Sequence, residues 1–133
     1  MVRFVRARTT VLVAAAVLAA VSIASCASPR ISSKVTAASI RKISPGMSRM
    51  DVVSLLGQPL RERPGDLLDY AIPGAALHGA FSFWIALDSH GTVDTVHVEK
   101  YPWIADHYAI YEARRDRPVY EHPEFARVVD GAR

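Results

Sequence analysis

Residues 35–60, VTAASIRKISPGMSRMDVVSLLGQPL, encode two helices and make both too short to stand alone. Thr36 reads as an N-cap, with Val35 before it and Ile40 in the first turn placed for a hydrophobic staple. Ile40 and Ile43 give that helix an i, i+3 apolar edge. Ser44-Pro45-Gly46 then stops it, because the residue before proline is pushed out of the α region. Ser48 repeats the device. Asp51, three residues on, completes a pair resembling a capping box, and Met47 and Val52 form the second staple. Val52, Val53, Leu55 and Leu56 supply an apolar stripe, Gly57 reads as a left-handed C′ cap, and Pro59 prevents continuation. Isolated helices shorter than ~12–15 residues are marginal in water, so both must be held against another layer.

The residues that follow read as that layer. Residues 61–65 form a charged loop, and 67–72 a strand with Leu68, Tyr70 and Ile72 on one face. Residues 73–79 are a loop. Residues 81–88 alternate plainly: Phe81, Phe83, Ile85 and Leu87 point one way and Ser82, Trp84, Ala86 and Asp88 the other. Ser89-His90-Gly91 is a hairpin loop, and residues 92–99 return with Val96 and Val98 inward. The expectation is an α+β domain over residues 35–100, two short helices packed on a three-stranded antiparallel sheet.

Residues 101–133 carry six aromatics (Tyr101, Trp103, Tyr108, Tyr111, Tyr120 and Phe125), too many for a disordered tail. Ile104, Tyr108 and Tyr111 sit at i, i+4, i+7 and predict an amphipathic helix over 103–114. Pro118 and Pro123 break the chain, and 124–129 reads as a further turn or two. This C-terminal helical extension either packs over the open face of the sheet or docks on a partner. Trp84 depends on which, because its face of the strand faces outward. Either the extension covers it, or it is a partner contact, a role in which tryptophan is enriched.

Residues 1–25 read as an export signal. Arg3, Arg6 and Arg8 precede VLVAAAVLAAV, an 11-residue apolar run, too short for a bilayer span of ~20 residues. Ile23-Ala24-Ser25-Cys26 resembles a bacterial lipobox, which implies cleavage between Ser25 and Cys26 and acylation of Cys26. Cys26 is the only cysteine, so no intramolecular disulfide staples the fold. Multiple acyl chains at ~0.8 kcal/mol per buried CH₂ give stable anchoring. Residues 26–34 are the lipidated N-terminus with a short Ser-rich tether. Ala27 follows the cysteine where an inner-membrane retention signal would place Asp, which favours the outer membrane.

The helical stretch carries a family resemblance. Thr36, Ile40, Ile43, Gly46, Met47, Ser48, Val52, Leu56, Gly57 and Pro59 stand in one ungapped register that resembles the SmpA/OmlA (BamE-like) outer-membrane lipoprotein family. The resemblance implies an ααβββ order and a non-catalytic role in β-barrel assembly and insertion or in envelope integrity. It implies partners among β-barrel assembly subunits, and membrane contact through the lipid anchor. A paralogous lipoprotein that binds or inhibits a different envelope protein is the alternative. The family's longer polar and aromatic segment before the first helix is replaced here by ASPRISSK and Val35, so no partner-binding residue carries over from it.

The remaining residues suggest little chemistry. Of 16 basic residues three lie in the leader, leaving 13 against 13 acidic ones, with no basic excess to suit nucleic acid. His78, His90, His97, His107 and His122 show no paired-ligand spacing, and Asp106-His107 and His122 with Glu124 read as surface polar residues. No serine sits in a nucleophile elbow. The expectation is a non-enzymatic protein with no cofactor, metal or small-molecule substrate.

Overall fold

The computed structural model describes residues 31–73, 80–102 and 106–131. The order is α1 (Ala37–Arg41), α2 (Arg49–Leu56), β1 (Arg61–Arg63), β2 (Leu67–Tyr70), β3 (Ala80–Leu87), β4 (Val93–Tyr101), β5 (Tyr108–Arg114), β6 (Arg117–Glu121) and α3 (Phe125–Asp130). All six strands pair antiparallel with their sequence neighbours in one sheet.

This corrects the expected fold. The sheet has six strands, not three, and the segment read as a C-terminal helical extension instead adds two strands and one short helix. Residues 61–63, read as loop, pair with β2 as an edge strand. Residues 108–114, read as the second half of a helix, form β5; Trp103 and Ile104 lie outside the described residues. A register shift between Val98 and Glu99 of β4 accounts for the misreading. It leaves Ile110 as an extra residue on β5, so neighbours Ile110 and Tyr111 are both buried. Adjacent buried residues erase the period-2 signal, and spacing that mimics a helix remains.

Both N-terminal helices begin at the residues that the sequence nominates. Thr36 Oγ1 accepts the Ser39 N–H at 2.9 Å while Ser39 Oγ accepts the Thr36 N–H at 2.8 Å, a reciprocal capping box. Ser48 Oγ accepts the Asp51 N–H, and Val35, Ile40, Val52 and Leu56 are fully buried. Between the helices the linker joins the sheet. Gly46 adopts φ +91° and donates to Val93 O at 2.7 Å, and Val93 N–H donates back to Met47 O at 2.8 Å.

Gly57 is not the left-handed cap expected. Its φ of 82° and ψ of −174° lie in a region essentially restricted to glycine. A Cβ there would also stand 2.6 Å from Ser32 Oγ.

One face of the sheet holds the core. Tyr70, Phe83, Val98 and Tyr111 face one another across β2–β5, as do Leu68, Ile85, Val96 and Ala113. Against these rows the helices bury Ala37 and Ile40, Val52 and Leu56, and Phe125, Val128 and Val129. Phe125 stacks on Tyr111 with centroids 4.7 Å apart, and Arg41 reaches Glu121 at 3.0 Å from Nε. The C-terminal segment therefore completes the core rather than crossing the opposite face. Neither sheet edge invites another strand. β1 is only three residues, Arg-Glu-Arg, and β6 carries Pro118 and a register shift.

Candidate functional site

With the helices on one side, the other face of the sheet is left to the alternate residues of each strand. Arg61, Asp69, Trp84, His97, Glu112 and Tyr120 stand opposite one another in succession across all six strands. Trp84 and His97 lie at its centre, their rings stacked 4.8 Å apart and tilted by 22°. Cross-strand aromatic pairs of this kind support the sheet and restrict both side chains.

Carboxylates fix the imidazole from one side. His97 Nδ1 donates to Glu112 Oε2 at 3.0 Å, and its Nε2 lies 3.8 Å from Glu99 Oε2. His97, Glu99 and Glu112 side chains are only 14%, 18% and 18% exposed, although no described helix lies over this face. They shield one another. Burial pushes the Glu99 carboxyl up, but hydrogen bonds from His107 and from Tyr101 (2.9 Å) outweigh it and hold the group below the usual carboxylate range. Tyr101 and His107 stack 5.1 Å apart beside it. On the opposite flank Asp69 accepts from both Arg61 Nε at 2.6 Å and Arg63 Nε at 2.9 Å, while on the His97 side Arg117 of β6 approaches Glu112 at 3.5 Å.

The result is a stacked aromatic centre with hydrogen-bond acceptors on one side and guanidinium groups near both ends. Such a surface suits recognition of a protein partner: a rigid aromatic anchor surrounded by polar groups whose positions are already set. Among the described residues no group of three or more His, Cys, Asp or Glu is arranged to hold a metal ion.

Trp84 is thus where the alternation of β3 places it, on the face away from the helices. The ten residues of the helical stretch, Thr36 to Pro59, are structural here: caps, buried contacts and chain stops around the core. Ser25 and Cys26 lie outside the described residues, as does His78. His97 and Glu99 are legible as the outward positions that alternate with the inward Val96 and Val98. Glu112 was hidden because its strand reads as helix. His122, read as a surface residue beside Glu124, donates its backbone N–H to Ile110 O and extends the β5–β6 pairing.

Among the described residues no helix is long and apolar enough to cross a membrane. No protein-family model, no curated protein and no solved structure matches this chain.

Proposed function

We propose that this protein is an outer-membrane lipoprotein, anchored through Cys26 and facing the periplasm, whose domain is a non-catalytic binding subunit in β-barrel assembly and insertion. The observation that carries the binding role is the Trp84–His97 stack at the centre of a sheet face that no described helix covers. A tryptophan already stacked on a neighbour loses little freedom on binding, which suits it as an interface anchor. The lipobox and the SmpA/OmlA-like register from Thr36 to Pro59 support the location and the process.

The six-stranded sheet, three strands more than the ααβββ order of that family, favours a second reading. In it the chain is a paralogous lipoprotein that binds or inhibits a different envelope protein through the same face.

Two measurements test the proposal. Cys26→Ser leaves the protein unprocessed or in the soluble periplasmic fraction, and membrane retention of a normally cleaved serine variant argues against the anchor. Affinity purification from detergent-solubilised envelope recovers β-barrel assembly subunits under the first reading. Recovery of another envelope protein without them supports the second.

A further inference from the structure

We infer that the Trp84 face carries a proton-operated switch: protonation of His97 closes its imidazole onto Glu99 as well as Glu112, and together with protonation of His107 it reverses the charge that the face shows a partner. The consequence for a partner rests on the binding role proposed for Trp84; the switch itself does not.

His97 sits in a hydrogen-bond arrangement that a neutral imidazole cannot complete. Its Nδ1 donates to Glu112 Oε2 at 3.0 Å, while Nε2 lies 3.8 Å from Glu99 Oε2. A neutral imidazole carries one N–H, so donation from Nδ1 leaves Nε2 a bare acceptor opposite a carboxylate oxygen. Only the imidazolium donates from both nitrogens. Glu99 keeps its charge through that change. Burial disfavours its ionised form, but hydrogen bonds from His107 and from Tyr101 outweigh this and hold its carboxyl below the usual range. Histidine is the side chain whose charge ordinarily changes between about pH 5 and 8, a window in which Glu99 remains an anion.

The charges around this pair are nearly balanced, so two protons decide their sign. Glu99 of β4 and Glu112 of β5 supply two carboxylates, and Arg117 of β6 supplies one guanidinium, 3.5 Å from Glu112. His107 brings a second imidazole, its Nδ1 against Glu99 Oε1. With both imidazoles neutral the cluster is net negative. With both protonated, three cations face two carboxylates and the sign reverses. The other charges near this centre are engaged elsewhere: Asp69, opposite Trp84 on β2, holds Arg61 and Arg63, and Arg114 of β5 turns to Asp116 at 3.1 Å. Tyr120 of β6, opposite Glu112, contributes a phenol. His97, Glu99 and Glu112 shield one another from water, so solvent screens their charges less than on an open surface.

The stack carries the change to Trp84. Its ring centroid lies 4.8 Å from that of His97, within the range at which an imidazolium gains cation–π attraction. Acid therefore tightens the stack and fills the Glu99 oxygen that faces Nε2. A partner donating hydrogen bonds to these carboxylates at neutral pH meets filled acceptors and a positive centre in acid.

The test is a pH titration of the isotopically labelled full chain in detergent micelles, followed by nitrogen NMR of the imidazoles. The expected result is a His97 protonated at Nδ1 alone at about pH 8, with both nitrogens of His97 and of His107 protonated by about pH 5. A Trp103→Phe chain keeps Trp84 as its one tryptophan. Its emission should fall at least about two-fold over the same interval, because an imidazolium stacked on indole quenches it. Adding His97→Gln should abolish that fall. A neutral His97 protonated at Nε2, either histidine failing to gain its second proton, or the same emission at both ends of the titration overturns the inference. So does undiminished quenching in the His97→Gln chain. The NMR uses the unsubstituted chain and decides the matter even where Trp103→Phe fails to fold. No readout involves a partner, so a failed switch leaves the binding role of Trp84 standing, and a failed purification of partners leaves the switch standing.

Discussion

The Asp130 carboxylate accepts the Ala37 N–H at 2.9 Å, so the last described helix caps the first across 93 residues of chain. Ala37 opens α1, where backbone N–H groups have no partner within the helix, and a carboxylate suits the positive end of its dipole. The five-residue α1 is too short to persist by itself, and this bond ties it to α3. Asp130→Ala should cost about 1 kcal/mol, measured by urea unfolding, while Asp130→Asn, which keeps an acceptor oxygen, should cost less.

Phe125 tests whether the C-terminal segment belongs to the core. It is fully buried and stacks on Tyr111, with Arg41 5.5 Å above its ring. Phe125→Ala should destabilise the domain by about 3–5 kcal/mol, a large part of a typical stability of ~5–15 kcal/mol. A loss within 0.5 kcal/mol, the usual range of a surface change, would mean that the segment is a dispensable tail.

Gly57 combines a backbone conformation that L residues rarely adopt with the close approach of Ser32. Gly57→Ala should therefore cost over 1 kcal/mol. Adding Ser32→Gly should recover the steric part only, leaving the conformational part measurable in the double variant.

Tyr70 gives the fold an alkaline limit. Burial pushes its phenol up to about 12, and the hydroxyl donates to Gly57 O at 3.0 Å. An unfolded chain ionises the same group near pH ~10. The neutral form is favoured in the fold, so its contribution is complete below pH ~10 and is lost as pH rises toward about 12. Tyr70→Phe should flatten the fall in stability across that interval, followed by denaturant midpoints at successive pH values. An unchanged slope in the variant would show that Tyr70 does not set it.

The helical stretch was legible because its signals are local. Thr36 and Ser48 bond to N–H groups three residues away, and Gly46 and Gly57 carry positive φ whatever surrounds them. β3 was legible because one face meets helices and the other does not, which is what an alternating pattern records. β1 was not: Arg61 and Arg63 are held by Asp69 on the next strand, a partner that a three-residue charged segment does not announce. Nor was β5, where the Ile110 bulge replaced alternation with a helix-like spacing and the deciding contacts are to β4. The site inherited both gaps. Trp84 and His97 could be placed outward from their own strands, while Glu112 and the arginine flank required the pairing to be known.

The measurement that bears most directly on the proposed binding role compares wild type with Trp84→Ala in affinity purification from detergent-solubilised envelope. Trp84 lies outside the buried core, so the variant should keep its fold and membrane location, losing about 1 kcal/mol of stability with the stacked pair. A hot-spot tryptophan contributes at least ~2 kcal/mol to binding. The account predicts that β-barrel assembly subunits co-purify with wild type and fall at least about ten-fold with the folded variant. Equal recovery by the two proteins would contradict it.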